Sequence, residues 1–279
     1  MEIKSLVEKA FQRNLSDPSA LSDAFDSIRL LEPEDFTLAH ERNKEVRRLS
    51  ARFATEQKSL RMFELNKRSL LFDAPYDFDA AIRYAEWDRE PKKKFYMPRR
   101  KQLLPVVQAM QRLSERKIRI LGVMAPPGVG KTTIELMFMV MEGLKNPDLS
   151  ILMGSHSNSF LRGAYEEVGR MLDLKGEYLW KDIFPSVQVC KTNAQDMRID
   201  LGKRFETFEF SSIGSGNAGK VRASNLLVAD DLVPDIESAM SKERMDKLWQ
   251  QYYTDLMQRM IGDLSLIHIS EPTRRYAIS

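Results

Sequence analysis

The segment APPGVGKTT, residues 125–133, constrains the fold more than any other part of this sequence. It follows a short apolar run, Ile118–Met124, which is typical of a buried parallel strand, and leads into a Met-rich apolar run, Thr132–Leu144, which is typical of a helix. A glycine-containing turn between a strand and a helix is the context that a phosphate-binding loop requires. We therefore predict an α/β fold of the P-loop NTPase type.

The residue types in this loop suit ATP with Mg²⁺. Gly128 and Gly130 allow the backbone to turn tightly around an anion, and backbone N–H groups at the start of the helix favour negative charge. We expect Lys131 to reach the β- and γ-phosphates and the Thr132 hydroxyl to ligate Mg²⁺. Ala125 stands where such loops usually have their first glycine. The predicted nucleotide-binding residues of the loop are Ala125, Pro126, Pro127, Gly128, Val129, Gly130, Lys131, Thr132 and Thr133.

A second motif, NLLVADDL at residues 225–232, places two acids directly after four apolar residues. Asp230, at the end of the predicted strand Leu226–Ala229, is expected to hold Mg²⁺, and Asp231 to polarise the attacking water. ATPases with such a pair usually have Glu at the second position, and Asp is one methylene shorter. Acidic pairs are also common in ordinary turns, so this interpretation depends on the loop upstream.

The remaining sequence predicts two regions of different character. Residues 1–90 carry apolar positions at helical spacing, and Glu41–Leu71 is predicted as one long charged helix. Residues 89–102, REPKKKFYMPRRKQ, are predicted to be a linker or a binding arm. Residues 91–263 alternate strands with helices, which favours a mostly parallel sheet flanked by helices. Its other predicted elements are helices at 103–115, 160–172 and 242–260, a strand at 149–153 and a hairpin around Gly202.

The last residues, 264–279, read LSLIHISEPTRRYAIS and resemble a translated sequencing adapter. Such a segment is excluded from fold reasoning in the same way as a cloning scar. We therefore expect the domain at 91–263 to be truncated at its C-terminal end. We also expect residues 264–279 to form a loose extension without core contacts.

Charge and cysteine usage set weaker bounds. The chain has 43 Lys and Arg against 40 Asp and Glu, so its net charge does not by itself indicate nucleic acid. Basic residues crowd Arg42–Arg68 and Arg89–Arg119, which suits a phosphate backbone but equally a solvated helix face. The single cysteine, Cys190, indicates a reducing compartment and is predicted to pack in an apolar stretch. No segment has the apolar length of a membrane span.

Taken in order, several motifs resemble those of a phage terminase large subunit. These are FYMPRRKQLLPVV, APPGVGKTT, GSHS, YLWKDIFP, VADDL and SKERMDKLW, within about Lys94–Asp263. The resemblance implies an ATPase motor that moves double-stranded DNA into a procapsid. It also implies a portal protein and a small terminase subunit as partners, a working homo-oligomer, and a location in the cytoplasm of an infected bacterium, transiently at the procapsid.

The resemblance also assigns roles to residues outside the two motifs. Gln102 matches the family's adenine-recognition glutamine. Arg99 and Arg100 are expected to flank the nucleotide, with a plain basic linker as the alternative. Arg222 is a candidate arginine finger for a neighbouring subunit, with DNA phosphate or plain surface as the alternatives. His156 lies near the expected nucleotide face, although a hydrogen-bonded polar turn is the preferred interpretation. The family's C-terminal nuclease domain, and the strand that normally follows the acidic pair, are expected to be missing.

Other classes of function remain open at this point. A helicase-like or other P-loop nucleic-acid remodelling ATPase would share both motifs. A non-enzymatic DNA- or protein-binding module would use the basic N-terminal helices instead of the loop. A kinase of small substrates is less favoured, because no substrate lid or acceptor site is evident.

Overall fold

Two structural units follow one another along the chain, residues 1–87 and residues 88–279. The computed structural model describes residues 2–173, 176–202, 206–213, 223–261 and 265–270, with the side chains of Ile236 and of residues 268–270 left aside. No helix within these ranges is both long and apolar enough to cross a lipid bilayer.

The first unit is helical, as the sequence predicts. Its core is a cluster of buried apolar side chains that includes Leu21, Phe25 and Ile28 from one helix and Val46 and Phe53 from the next. These positions recur every three to four residues, so each helix buries one apolar stripe. The helices are α1 (Glu2–Gln12), α2 (Pro18–Leu31), α3 (Phe36–Glu56), α4 (Leu60–Asp73) and α5 (Phe78–Ala85).

The prediction of one long helix over Glu41–Leu71 is wrong, because the chain breaks between α3 and α4. Lys58 takes a left-handed backbone conformation with φ of 47°. The Ser59 side chain then accepts a hydrogen bond from the Met62 N–H and caps the start of α4. The charged pattern continues through the break, so periodicity alone does not reveal it.

Several residues of the first basic run, Arg42–Arg68, form ion pairs within this unit. The guanidinium of Arg47 lies 2.9 Å from Asp73, and Nδ1 of His40 lies 2.6 Å from the same carboxylate. On the surface, Arg52 pairs with Glu56 and Arg68 pairs with Asp26. Arg47 therefore ties α3 to α4. On the surface, Arg52 and Arg68 each lie beside an acid of the same unit, so neither is an isolated positive charge.

The second unit is a mixed α/β layer. Its strands are β1 (Ile120–Met124), β2 (Ile151–Ser155), β3 (Lys191–Asn193), β4 (Arg198–Asp200), β5 (Phe208–Ser212), β6 (Leu226–Asp230) and β7 (Ser265–Ser270). Its helices are α6 (Tyr96–Ser114), α7 (Lys131–Lys145), α8 (Asn158–Leu172), α9 (Trp180–Ile183), α10 (Ile236–Met240) and α11 (Lys242–Gln251). Single turns at Pro91–Lys93, Tyr252–Leu256 and Met257–Arg259 complete the described elements.

The sheet has the strand order β1-β7-β6-β2-β5-β4-β3. The first five strands in this order are mutually parallel. The last two, β4 and β3, add an antiparallel edge. The predicted hairpin around Gly202 is confirmed by the antiparallel pairing of β4 with β5. Because parallel strands place their carboxyl ends at one edge, the loops after β1, β2 and β6 meet on the same side of the sheet.

Strand β7 corrects the prediction for the end of the chain. Ser265–Ser270 do not form a loose extension, since they pair in parallel with both β1 and β6. The side chain of Ile267 is completely buried. A strand therefore does follow the acidic pair, contrary to expectation. Residues 271–279 lie outside the described residues.

Hydrogen bonds fix the start of β7 to its surroundings. The Arg116 guanidinium donates to the Ser265 hydroxyl, the Asn225 carbonyl and the Asn225 side-chain oxygen. The Ser265 hydroxyl donates to the Leu113 carbonyl, and the Leu266 N–H donates to the Arg119 carbonyl. At least one residue of the second basic run, Arg116, thus has a structural role.

Three further expectations from the sequence are wrong in detail. Residues 89–102 are not wholly a linker, because α6 begins at Tyr96, and Pro98 lies in its first turn, where a missing N–H costs little. Strand β1 lies at the edge of the described sheet and is not fully buried, since Ile120 is 66% exposed. Cys190 does not pack in the core but is exposed.

Candidate active site

The loop between β1 and α7 has the backbone that its glycines allow. Gly128 and Gly130 have φ of 79° and 97°, in the left-handed region that residues with a Cβ avoid. Gly130 is also the N-cap of α7, with no side-chain capping hydrogen bond. A Cβ on Gly130 would lie 2.5 Å from Cε2 of Phe95. Glycine is therefore required at this position by both conformation and space.

Phe95 connects the loop to the start of α6. Its ring packs against Gly130, and the Arg99 guanidinium lies 5.0 Å from the ring centroid. Arg99 also donates to the Phe95 carbonyl at 3.1 Å. Gln102 lies exposed three residues further along α6. Arg99, which is predicted to flank the nucleotide, is thus linked to the loop through Phe95.

The two motifs meet at the start of α7. The Thr132 hydroxyl lies 3.3 Å from Oδ2 of Asp230 and donates a hydrogen bond to it. The Lys131 side chain is buried, and its ammonium donates to the Ala125 carbonyl at 2.8 Å, across the loop. Strands β1 and β6 are separated by β7 in the sheet. Thr132, at the start of α7, therefore reaches past the end of β7 to contact Asp230 at the end of β6.

Asp231 occupies a turn that β2 holds in place. Its backbone is left-handed, with φ of 48°. Its carbonyl accepts hydrogen bonds from the Ser155 hydroxyl and from both the backbone N–H and Nδ1 of His156. This confirms the interpretation of His156 as part of a hydrogen-bonded polar turn. The Asp231 side chain remains 57% exposed, next to the buried Asp230.

A third acid, Glu135, adjoins this pair. Burial, and then the charge of Asp230, hold the pKa of Glu135 well above its usual range. Burial likewise raises the pKa of Asp230 to about 6, and the charge of Asp231 adds to the rise. The Thr132 hydroxyl, the Lys131 ammonium and the Glu135 carboxyl oppose it. Burial is thus the main cause of the raised pKa in both acids, which also share a side-chain hydrogen bond.

Motif reasoning did not find Glu135 or Phe95. The signal for Glu135 is an acid within the apolar run of α7, four residues after Lys131, where a helix returns to the same face. Phe95 has no comparable sequence signal, because its contact with Gly130 depends on how α6 packs. Arg222 lies outside the described residues, so its predicted role is a matter of sequence alone.

The oxygen atoms at this site suit Mg²⁺. A hydroxyl and a carboxylate are the hard ligands that this ion prefers, and it usually takes only one or two protein groups besides phosphates and water. Across the described ranges, no group of three or more His, Cys, Asp or Glu could hold a metal ion by itself. Thr132 and Asp230 are thus the residues of the two motifs whose oxygens could hold this ion.

Comparison with known proteins adds no assignment. No protein-family model matches the chain, and neither does any curated protein. Inferences about function therefore depend on the motifs and on this geometry.

Proposed function

We propose that this chain is an ATP hydrolase with its active site at the carboxyl ends of β1 and β6. The observation that carries the proposal is the 3.3 Å contact between Thr132 and Asp230, which unites the two motifs beside a loop with two left-handed glycines. If the glycine loop and the acidic pair were unrelated motifs, their side chains would have no reason to be in contact.

Each residue has a defined task in this proposal. Gly128 and Gly130 give the loop its turn around the phosphates, and Lys131 binds the β- and γ-phosphates in place of the Ala125 carbonyl. Thr132 and Asp230 hold Mg²⁺, which neutralises charge on the phosphates. Asp231 orients and polarises the attacking water.

The motor role follows from the resemblance to phage terminase large subunits. We propose that hydrolysis drives double-stranded DNA into a procapsid, in a homo-oligomer that works with a portal protein and a small terminase subunit. The protein would then act in the cytoplasm of an infected bacterium. The alternative of a DNA-binding module built on the N-terminal helices would give the glycine loop and the acidic pair no role.

Replacement of Lys131 tests the ATPase proposal. Lys131→Ala should abolish Mg-ATP hydrolysis and weaken ATP binding, because it removes the charge that faces the phosphates. Lys145→Ala is the matched control, since it removes the same charge from the last turn of the same helix. Phosphate release and calorimetric ATP binding are the measurements. Wild-type hydrolysis by Lys131→Ala would refute the proposal.

The nucleic-acid partner is tested separately. Double-stranded DNA should stimulate phosphate release by a packaging motor. Stimulation by single-stranded nucleic acid alone would instead favour a helicase-like remodelling ATPase.

A further inference from the structure

The aromatic ring of Phe95 lies against the glycine loop without belonging to either motif. Cζ and Cε2 are the ring atoms nearest to Gly130, and Cε2 would lie 2.5 Å from a Cβ at that position. Gly130 has a left-handed backbone with φ of 97° and is the N-cap of α7. The ring therefore contacts the residue at which the loop passes into the helix.

The chain is tied down on both sides of Phe95. On the later side, Arg99 donates to the Phe95 carbonyl at 3.1 Å, and its guanidinium lies 5.0 Å from the ring centroid. On the earlier side, the Lys93 ammonium lies 2.6 Å from the Glu177 carboxylate, and the Arg89 guanidinium lies 3.3 Å from the same group. These contacts place the ring of Phe95 as a wall beside Gly130.

A loop built on glycines has a specific need for such a wall. Glycine loses more conformational freedom than any other residue when its backbone is ordered. If the loop becomes ordered only when a nucleotide binds, that cost is subtracted from the affinity. A ring packed against Gly130 restricts its backbone before the nucleotide arrives.

We propose that Phe95 is a positioning residue of the nucleotide site, which holds Gly130 in the left-handed conformation that the loop uses to bind phosphates. This inference rests on the proposed function. Phe95 supplies packing and takes no part in the chemistry. Its loss should therefore weaken the binding of the ground state and of the transition state equally, which raises KM and leaves kcat unchanged.

Removal of the ring in Phe95→Ala is the first test. KM for Mg-ATP should rise about tenfold, as when about one residue must lose its backbone freedom on binding, while kcat should stay within about twofold of the wild type. The dissociation constant of a fluorescent ADP analogue with Mg²⁺ should rise by the same factor, without any need for turnover. Phe184→Ala is the matched control, since Phe184 is another half-buried phenylalanine of this unit. It should lower the melting temperature and change neither constant.

Phe95→Tyr separates this role from stacking on the nucleotide base. Tyrosine keeps the aromatic face but adds a hydroxyl to Cζ, the ring atom nearest to the Cβ position of Gly130. The hydroxyl should push the loop out of place and weaken the binding of the ADP analogue. A base-stacking role would leave the affinity at the wild-type value.

The outcomes separate this inference from the function on which it rests. If the wild-type protein binds no Mg-nucleotide, the proposed function fails and this inference fails with it. If the wild type binds, unchanged affinity in Phe95→Ala overturns the inference alone, and so does a fall in kcat at unchanged KM. Should Phe95→Ala fold poorly in thermal unfolding, Phe95→Tyr keeps the ring in place, and wild-type affinity in that variant overturns the inference equally.

Discussion

Asp230 and Asp231 are neighbours in sequence but lie in different surroundings. Asp230 ends β6, is only 5% exposed and receives the Thr132 hydroxyl. Asp231 begins a left-handed turn whose carbonyl is held by β2 residues, and its side chain is largely exposed. A buried acid beside a hydroxyl suits a fixed ion, and an exposed acid suits a water that must be exchanged in every cycle.

Exchange of each acid for its amide should separate these roles. Asp231→Asn should keep nucleotide affinity near the wild-type value and lower turnover by about 100-fold or more. Asn tolerates a left-handed backbone as Asp does, so the turn should survive. Asp230→Asn should raise the Mg²⁺ requirement for nucleotide binding. Phosphate release and Mg²⁺ titrations of binding give the two quantities, and equal effects in both variants would contradict the division.

Motif spacing was sufficient to predict where Lys131, Thr132 and Asp230 lie, because each belongs to a strand end or helix start that the sequence marks. Their roles stay predictions. Motif spacing was insufficient for Glu135, which is completely buried in α7 and interacts with Asp230. An acid in an apolar helix is ordinarily assumed to find a partner, as Glu142 does. Only the folded arrangement shows that the partner of Glu135 is another buried acid, Asp230.

At the scale of elements, α7 packs against β5 through a glycine. A Cβ on Gly143 would have ring atoms of Phe208 within 3.0 Å. Glycine is unfavourable inside a helix by about 1 kcal/mol relative to alanine. Its presence here thus reflects the close approach of the helix to the buried ring.

Substitution of Gly143 by alanine tests how closely α7 packs against Phe208. Gly143→Ala should lower the free energy of unfolding by about 1–3 kcal/mol, because overpacking outweighs the gain in helix propensity. Gly163→Ala on α8 is the matched control, since nothing lies within 4 Å of its Cβ position. That variant should be equally or more stable than the wild type by up to about 1 kcal/mol. Denaturant unfolding measures both, and a stabilised Gly143→Ala would show that α7 can move away from β5.

Element boundaries were the less predictable part of the fold. The α3–α4 break depends on one left-handed residue, Lys58, with no glycine or proline to mark it. The start of α6 at Tyr96 lies within a basic stretch that composition alone assigns to a linker. The strand before the glycine loop and the strand that ends in the acidic pair were predictable, because each couples an apolar run to a motif.

At the scale of the whole molecule, β7 joins the two strands that carry the site. The expectation of a loose end came from the resemblance of LSLIHIS to an adapter, and that question of origin is separate from folding. A strand with apolar side chains between two parallel partners gains buried area and ladder hydrogen bonds whatever its source. Sequence origin therefore could not predict the placement of these residues.

Truncation of single side chains tests the placement of β7. Ile267→Ala should destabilise the protein by about 2–5 kcal/mol, as for a buried core residue. Ile120→Ala on the adjacent strand, where the side chain is mostly exposed, should cost much less. Chemical denaturation of both variants is the measurement. A negligible effect at Ile267 would return residues 264–279 to the status of a loose extension.

The late position of β7 in the chain also affects folding during synthesis. β1 pairs with no other strand of the described sheet, so it must wait until residues 265–270 have been made. Until then a ribosome-bound chain presents the open edges of β1 and β6, with apolar side chains nearby. Unpaired edges of this kind recruit other strands and promote aggregation. The strand that joins β1 to β6 is thus also the one whose late synthesis leaves the nascent protein open to misassembly.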